Sequence, residues 1–192
     1  KNYAAAEQYN RDALSLRRKL NHADIPASLS ALAVILSRTG RDPEALEAIR
    51  EAVQIERDRG FPRSDDAGYL GTLAGILVRL DRGQEAEPIY QEALAMARDR
   101  MPDHVQRASL EWEYATACLK LKRPQDAIEP ARHAVAVYRK LANAPKLIES
   151  LGTLASALEF AGHAEQASAI RQELSTLNAA TKAAEPNAGG GT

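Results

Sequence analysis

The chain repeats itself about every forty-one residues, and that period constrains its fold more than any other feature. Ala45 stands in the string Pro43-Glu44-Ala45-Leu46-Glu47-Ala48-Ile49, and similar strings centre on Ala86, Ala127 and Ala167, at steps of 41, 41 and 40. Twelve positions before each lies another alanine: Ala33, Ala74, Ala115 and Ala155. Seven positions after lie Ala52, Ala93, Ala134 and then Leu174. Five positions before lie Gly40, Asp81, Lys122 and Gly162.

Around the upstream alanines the apolar residues fall on one face of a helix. Leu29, Leu32, Ala33 and Leu36 give the i, i+3, i+4, i+7 pattern, and two further sets, at 70–77 and 151–158, repeat it. The third copy is poorer: Glu111, Tyr114, Ala115 and Cys118. Each repeat is therefore expected to be two helices joined by a short turn. The first helices are placed at about 26–39, 65–80, 103–121 and 146–161, the second at about 42–59, 84–100, 124–141 and 164–177. Asp42-Pro43 reads as an N-cap followed by proline at the first helical position. Gly40 and Gly162 fall where a helix ends with positive φ. No segment alternates with period two, so an all-α fold is expected. The small residues have a mechanical reason: where the helices of a pair cross closely, only a methyl group fits between the backbones.

The strings Leu70-x-x-Leu73-Ala74-x-x-Leu77 and Ala86-Glu87-x-Ile89-Tyr90-x-x-Ala93-Leu94 resemble the tetratricopeptide repeat family, and Ala6-Glu7-x-Tyr9-x-x-x-Ala13-Leu14 looks like the second of these. The usual repeat has 34 residues; one of forty to forty-one looks like the longer variety of kinesin light chains. The resemblance covers about residues 3–177, some four and a half repeats. HEAT and armadillo repeats have a similar period, but the glycine and double-alanine phasing argues against them. The resemblance implies a right-handed superhelical solenoid of antiparallel helix pairs, whose inner wall is formed by the first helices and holds a peptide.

Residues 1–20 align with the second helix of an incomplete repeat, which leaves Tyr3, Ala6, Tyr9, Ala13 and Leu16 without a partner helix. From this we expect the C-terminal module of a longer protein, or self-association through that helix. Residues 1–177 are expected to form the repeat domain. Residues 178–192, whose apolar members are alanines and one proline, are expected to be a disordered tail.

Register assigns residues to the inner wall. The candidates for peptide binding are Arg38, Gly71, Gly75, Arg79, Trp112, Thr116, Lys120 and Ser156. Arg38, Arg79 and Lys120 form a ladder at steps of 41 that could grip an acidic or C-terminal carboxylate peptide; equally, cations at helix C-termini complement the dipole. The glycines at 68, 71 and 75 mark either close approach of a ligand or tight packing between repeats. Trp112, the only tryptophan, is either an aromatic anchor or a side chain tilted into the next repeat. The asparagine pairs of kinesin-light-chain repeats are absent: those positions hold Ser30-Ala31, Gly71-Thr72, Trp112-Glu113 and Gly152-Thr153. So is the carboxylate clamp of chaperone-binding relatives.

The remaining chemistry is sparse. A net charge of −1 removes the uniform basic field of a nucleic-acid or membrane-surface protein. No apolar run is long enough to span a membrane. One cysteine makes neither a disulfide nor a metal cluster; Cys118 sits at a core position. The histidines at 22, 104, 133 and 163 form no metal-binding spacing, and His22 and His104 read as solvated loop residues. No phosphate loop or nucleophilic triad is visible. The expectation is a non-catalytic protein-binding scaffold without cofactor, acting on a protein or peptide partner. No leader sequence is read after Lys1, which points to the cytoplasm, with secretion left open if residues precede it.

Overall fold

A computed structural model describes residues 2–60, 66–100 and 104–184. Among these residues there are nine α-helices and no strand: α1 (Tyr3–Lys19), α2 (Ile25–Arg38), α3 (Asp42–Asp58), α4 (Asp66–Arg79), α5 (Gly83–Arg100), α6 (Val105–Lys120), α7 (Pro124–Lys140), α8 (Ala144–Phe160) and α9 (Ala164–Ala184). The helices fall within two residues of the expected positions, except at the end of the chain. There α9 continues through Asn178 to Ala184, so the first part of the expected tail is helical. A run rich in alanine needs no tertiary burial to favour helix, because alanine has the highest helix propensity. The rest of that tail, 185–192, lies outside the described residues.

Backbone contacts group the chain into two units, Lys1–Pro102 and Asp103–Thr192. In the first, α1 packs on α2, α2 on α3, α3 on α4 and α4 on α5, with α2 and α4 also touching each other. In the second, α6 packs on α7, α7 on α8 and α8 on α9, and α6 touches α8. Each first helix buries the stripe that its spacing marked: Leu29, Leu32 and Leu36 in α2, Leu70, Leu73 and Leu77 in α4, Leu151, Leu154 and Leu158 in α8. The phased alanines are sealed. Ala33, Ala45, Ala74, Ala86, Ala115 and Ala127 are all 0% exposed, and Ala155 and Ala167 are buried as well.

The turn inside each pair is the same motif four times. In the first, the amide of Arg41 reaches back to the carbonyl of Leu36 and that of Gly40 to Ser37. The same two bonds close Arg82–Leu77 and Asp81–Val78, Arg123–Cys118 and Lys122–Leu119, and His163–Leu158 and Gly162–Glu159. This is the Schellman arrangement, which needs a left-handed residue just past the helix. Gly40 and Gly162 supply it at φ 80° and 85°, whereas Asp81 and Lys122 adopt it at 58° and 59° despite their side chains. Asp42 is not the N-cap that the sequence suggested. The cap is Arg41, without a side-chain bond, and Asp42 is the first helical residue.

α1 keeps the register of a second helix but buries only Leu14. Three polar contacts fasten it. Arg18 grips Glu51 of α3 at 2.5 and 2.6 Å, Arg17 donates to Ser28 of α2, and Glu7 accepts from Arg41 at 2.8 and 2.9 Å. Hydrogen bonds from Arg11 and Arg41 hold the Glu7 carboxyl below its ordinary pKa of 4.5.

Candidate interaction site on the first helices

In the first unit the sides of α2 and α4 turned away from their partner helices form one small-residue surface. Ala27, Ala31, Val34 and Arg38 of α2 and Gly68 and Arg79 of α4 are exposed. A β-carbon added at Gly68 would meet nothing within 4 Å, so this surface is open at the backbone. Gly75 differs, since a β-carbon there would stand 3.4 Å from the hydroxyl of Tyr90 in α5, and its smallness serves packing within the pair. Gly71 is buried.

The cations of the expected ladder are not equivalent. Arg79 donates through Nε to Asp42 at 2.9 Å and through its terminal nitrogen to Ser37, which itself donates to Asp42. It ties α4 to the start of α3. Arg38 is exposed and makes no ion pair among the described residues. The sequence carries the reason. With Ala6 set under Ala45, Tyr3 takes the place of Asp42, so Arg38 has no counterpart carboxylate. Lys120 in the second unit is exposed and has a partner.

The corresponding surface of the second unit is formed by α6 and α8, and it is polar and aromatic. The indole of Trp112 donates to Thr153 at 2.9 Å, and the ammonium of Lys146 sits 4.5 Å from its ring centroid. Trp112 thus leans on the next first helix, half-buried, with part of its ring outward. Lys146 also pairs with Glu149 at 2.7 Å. Beneath them Tyr138 is buried, which raises its pKa; a hydrogen bond from Ser109 partly offsets this. Thr116 donates to the carbonyl of Trp112 and Ser156 to that of Gly152, at 2.9 and 3.0 Å. Ser156 also borders an open cavity of about 480 Å³ with Gly152, Arg171 and Leu174. At the end of α8, Phe160 is 69% exposed.

Other features were not legible beforehand. A cleft of about 830 Å³ in the first unit is lined by α1, α2, α3 and Leu73 of α4, with Leu14, Leu29 and Leu32 among its apolar residues and Arg18 and Glu51 among its charged ones. His104 is no idle loop residue: its Nδ1 accepts the amide of Gln106 and caps α6. His22 accepts the amide of Asp24 in the same way, at 3.2 Å. Cys118 is buried in the core. Among the described residues no group of three His, Cys, Asp or Glu side chains could hold a metal ion, and no helix is long and apolar enough to cross a membrane.

These helix pairs, with their shared turns and sealed alanines, place the protein in the all-α helical-repeat class of solenoid proteins. Two models described as tetratricopeptide repeat match residues 65–140 and 27–57, together more than half of the chain, and the chain belongs to that family. Among solved structures it is similar to BtubC (BKLC) from P. vanneervenii, at 22% identity and a TM-score of 0.82, over 100% of this chain and 79% of that one. It is also similar to the nearly identical TPR-like repeats of a putative kinesin light chain from Podosopora anserina. There the identity is 21% and the TM-score 0.72, over 93% of this chain and 88% of that one. A substituted form of the same repeats gives 20% and 0.75 over 95% and 89%. No curated protein matches the sequence.

Proposed function

We propose that this tetratricopeptide-repeat chain is a non-catalytic scaffold that holds a peptide or partner segment against its first-helix surfaces. In this reading it serves as the C-terminal module of a larger signalling or regulatory protein, in the cytoplasm and without a nucleic-acid partner. One observation carries the reading. The α2–α4 surface is left uncovered although it is built from Ala27, Ala31, Val34 and an open backbone at Gly68, with Arg38, which has no ion pair among the described residues, at its end. An extended chain could approach such a surface closely, with a carboxylate directed to Arg38.

The test is a peptide-display selection against the immobilised chain, followed by titration of the selected peptides. Ala31→Glu and Arg38→Glu should each weaken binding at least about tenfold, a loss of about 1.4 kcal/mol. Glu129→Lys, on the exposed side of α7, should change it little. Peptides indifferent to the first two and lost with the third would refute the reading.

A second reading rests on α1. Tyr9, Leu16 and Leu20 are 77%, 59% and 66% exposed, a surface suited to a second copy of the chain. Sedimentation of the parent and of a Tyr9→Glu, Leu16→Glu variant separates the two. Concentration-dependent association that the variant abolishes supports a homo-oligomeric module; a monomer in both leaves only the first reading.

A further inference from the structure

Three residues of the second unit depart from the repeat, and the fold brings them together. At the position held by the buried Ile25 of α2, Asp66 of α4 and Leu147 of α8, α6 has Arg107. Where α2, α4 and α8 bury Leu29, Leu70 and Leu151, α6 has Glu111, which is itself 3% exposed. Where α3, α5 and α9 have Glu51, Glu92 and Glu173, α7 has His133. Glu51 pairs with Arg18, Glu92 with Arg57 and Glu173 with Arg139, each reaching toward the preceding second helix. His133 turns instead to its own partner, with Nδ1 against Oε2 of Glu111. Arg107 donates to the other oxygen, Oε1, at 3.0 Å.

A carboxylate in a leucine site is costly unless each oxygen finds a donor. Here Oε1 accepts a hydrogen bond from Arg107 of the same helix, and Oε2 lies in ion-pair contact with His133 of α7. The α6 donor would be present whatever helix lay opposite. The contact to Oε2 is specific to α7. Were α5 or α9 to take its place in the same register, Glu92 or Glu173 would stand where His133 does, either setting a second carboxylate beside Glu111 or turning to an arginine of another helix and leaving Oε2 without its contact. Were α7 to replace α5 against α4, or α9 against α8, His133 would meet Leu70 or Leu151.

We propose that Arg107, Glu111 and His133 form a pairing key that makes α7 the second helix that α6 accepts, in a chain whose repeats are otherwise similar enough to exchange. A repeat array folds through nearest-neighbour contacts, and mispairing or swapping of like repeats is its characteristic failure. One buried polar position is enough to fix register in coiled coils, and three mutually dependent ones would do so here.

The experiment uses the full chain. Trp112, the only tryptophan, lies in α6 and reports this unit by its emission during urea unfolding. His133→Glu restores the repeat residue yet should raise the unfolding constant by about a hundredfold or more, because it sets two carboxylates together. Glu111→Leu alone should also destabilise, by removing the carboxylate that Arg107 and His133 contact. The triple variant Arg107→Leu, Glu111→Leu, His133→Glu, which returns all three to repeat residues, should regain the parent's midpoint or exceed it. Should His133→Glu not fold at all, the triple variant still decides. The pairing role has its own readout. Refolded from urea, the triple variant should return a smaller share of chains to the starting hydrodynamic size than the parent does, the remainder eluting as larger swapped species. Single substitutions whose losses simply add in the triple variant, or equal refolding yields from parent and triple variant, would overturn the proposal.

Discussion

Lys122 and Asp81 adopt the left-handed conformation that glycine supplies at the two equivalent turns. A side chain in that region costs about 1–2 kcal/mol, reduced by the entropy that glycine gains in the unfolded chain. Lys122→Gly should therefore raise stability by up to about 1 kcal/mol in urea unfolding; a decrease would mean that the Lys122 side chain contributes more than its backbone strain costs. The alanines allow a sharper comparison. Ala74 is 0% exposed and Ala31 lies open on the same kind of helix. Ala74→Leu should overpack the crossing by about 1–3 kcal/mol, while Ala31→Leu should leave the melting temperature nearly unchanged. Equal effects would contradict the register. At this scale the sequence was informative wherever an identity repeats in phase, as at Ala33, Ala74 and Ala115. It was silent where the partner is remote in sequence. Arg38 and Arg79 look alike as text, and only the fold shows that Asp42 and Ser37 claim the second. Setting Ala6 under Ala45 puts Tyr3 in the place of Asp42 and so shows that the first lacks its carboxylate.

Among the helices, α1 is attached largely through charged side chains. It buries Leu14 alone and relies on Glu7, Arg17 and Arg18. Glu7 has a folded pKa below its ordinary 4.5, owing to Arg11 and Arg41. A carboxyl shifted in that direction stabilises the fold above its unfolded value, and the contribution disappears as pH falls through the lower, folded value. α1 should accordingly lose protection from hydrogen exchange as the pH falls below 4.5, before α2–α4 do. Glu7→Gln should remove most of that response; an unchanged response in the variant would assign it to other carboxyls. Helix positions were legible because the 3.6-residue stripe and the Schellman glycines mark both ends of a pair. The length of α9 was not, since a run of Ala, Thr, Lys and Asn lacks a stripe and still has strong intrinsic helix preference. Nor was the role of Trp112, because its choice between ligand and neighbour depends on where Thr153 and Lys146 stand.

At the scale of the whole molecule, the described residues form helix pairs and hold neither a metal-binding cluster nor a membrane-crossing helix. The interaction-scaffold character follows from the tetratricopeptide family, and the proposed choice of surface rests on the repeat phase, which turns the leucine stripes inward and leaves Ala27, Ala31, Val34 and Gly68 exposed on the other side. Hydroxyl-radical footprinting of the chain with a display-selected peptide tests that choice most directly. Val34, Trp112 and Phe160 report on the first-helix surfaces; Tyr9, Leu16 and Leu141 are exposed elsewhere. The account predicts that the peptide lowers the oxidation of Val34, or of Trp112 and Phe160, and leaves Tyr9, Leu16 and Leu141 unchanged. Protection confined to Tyr9, Leu16 or Leu141 would contradict it.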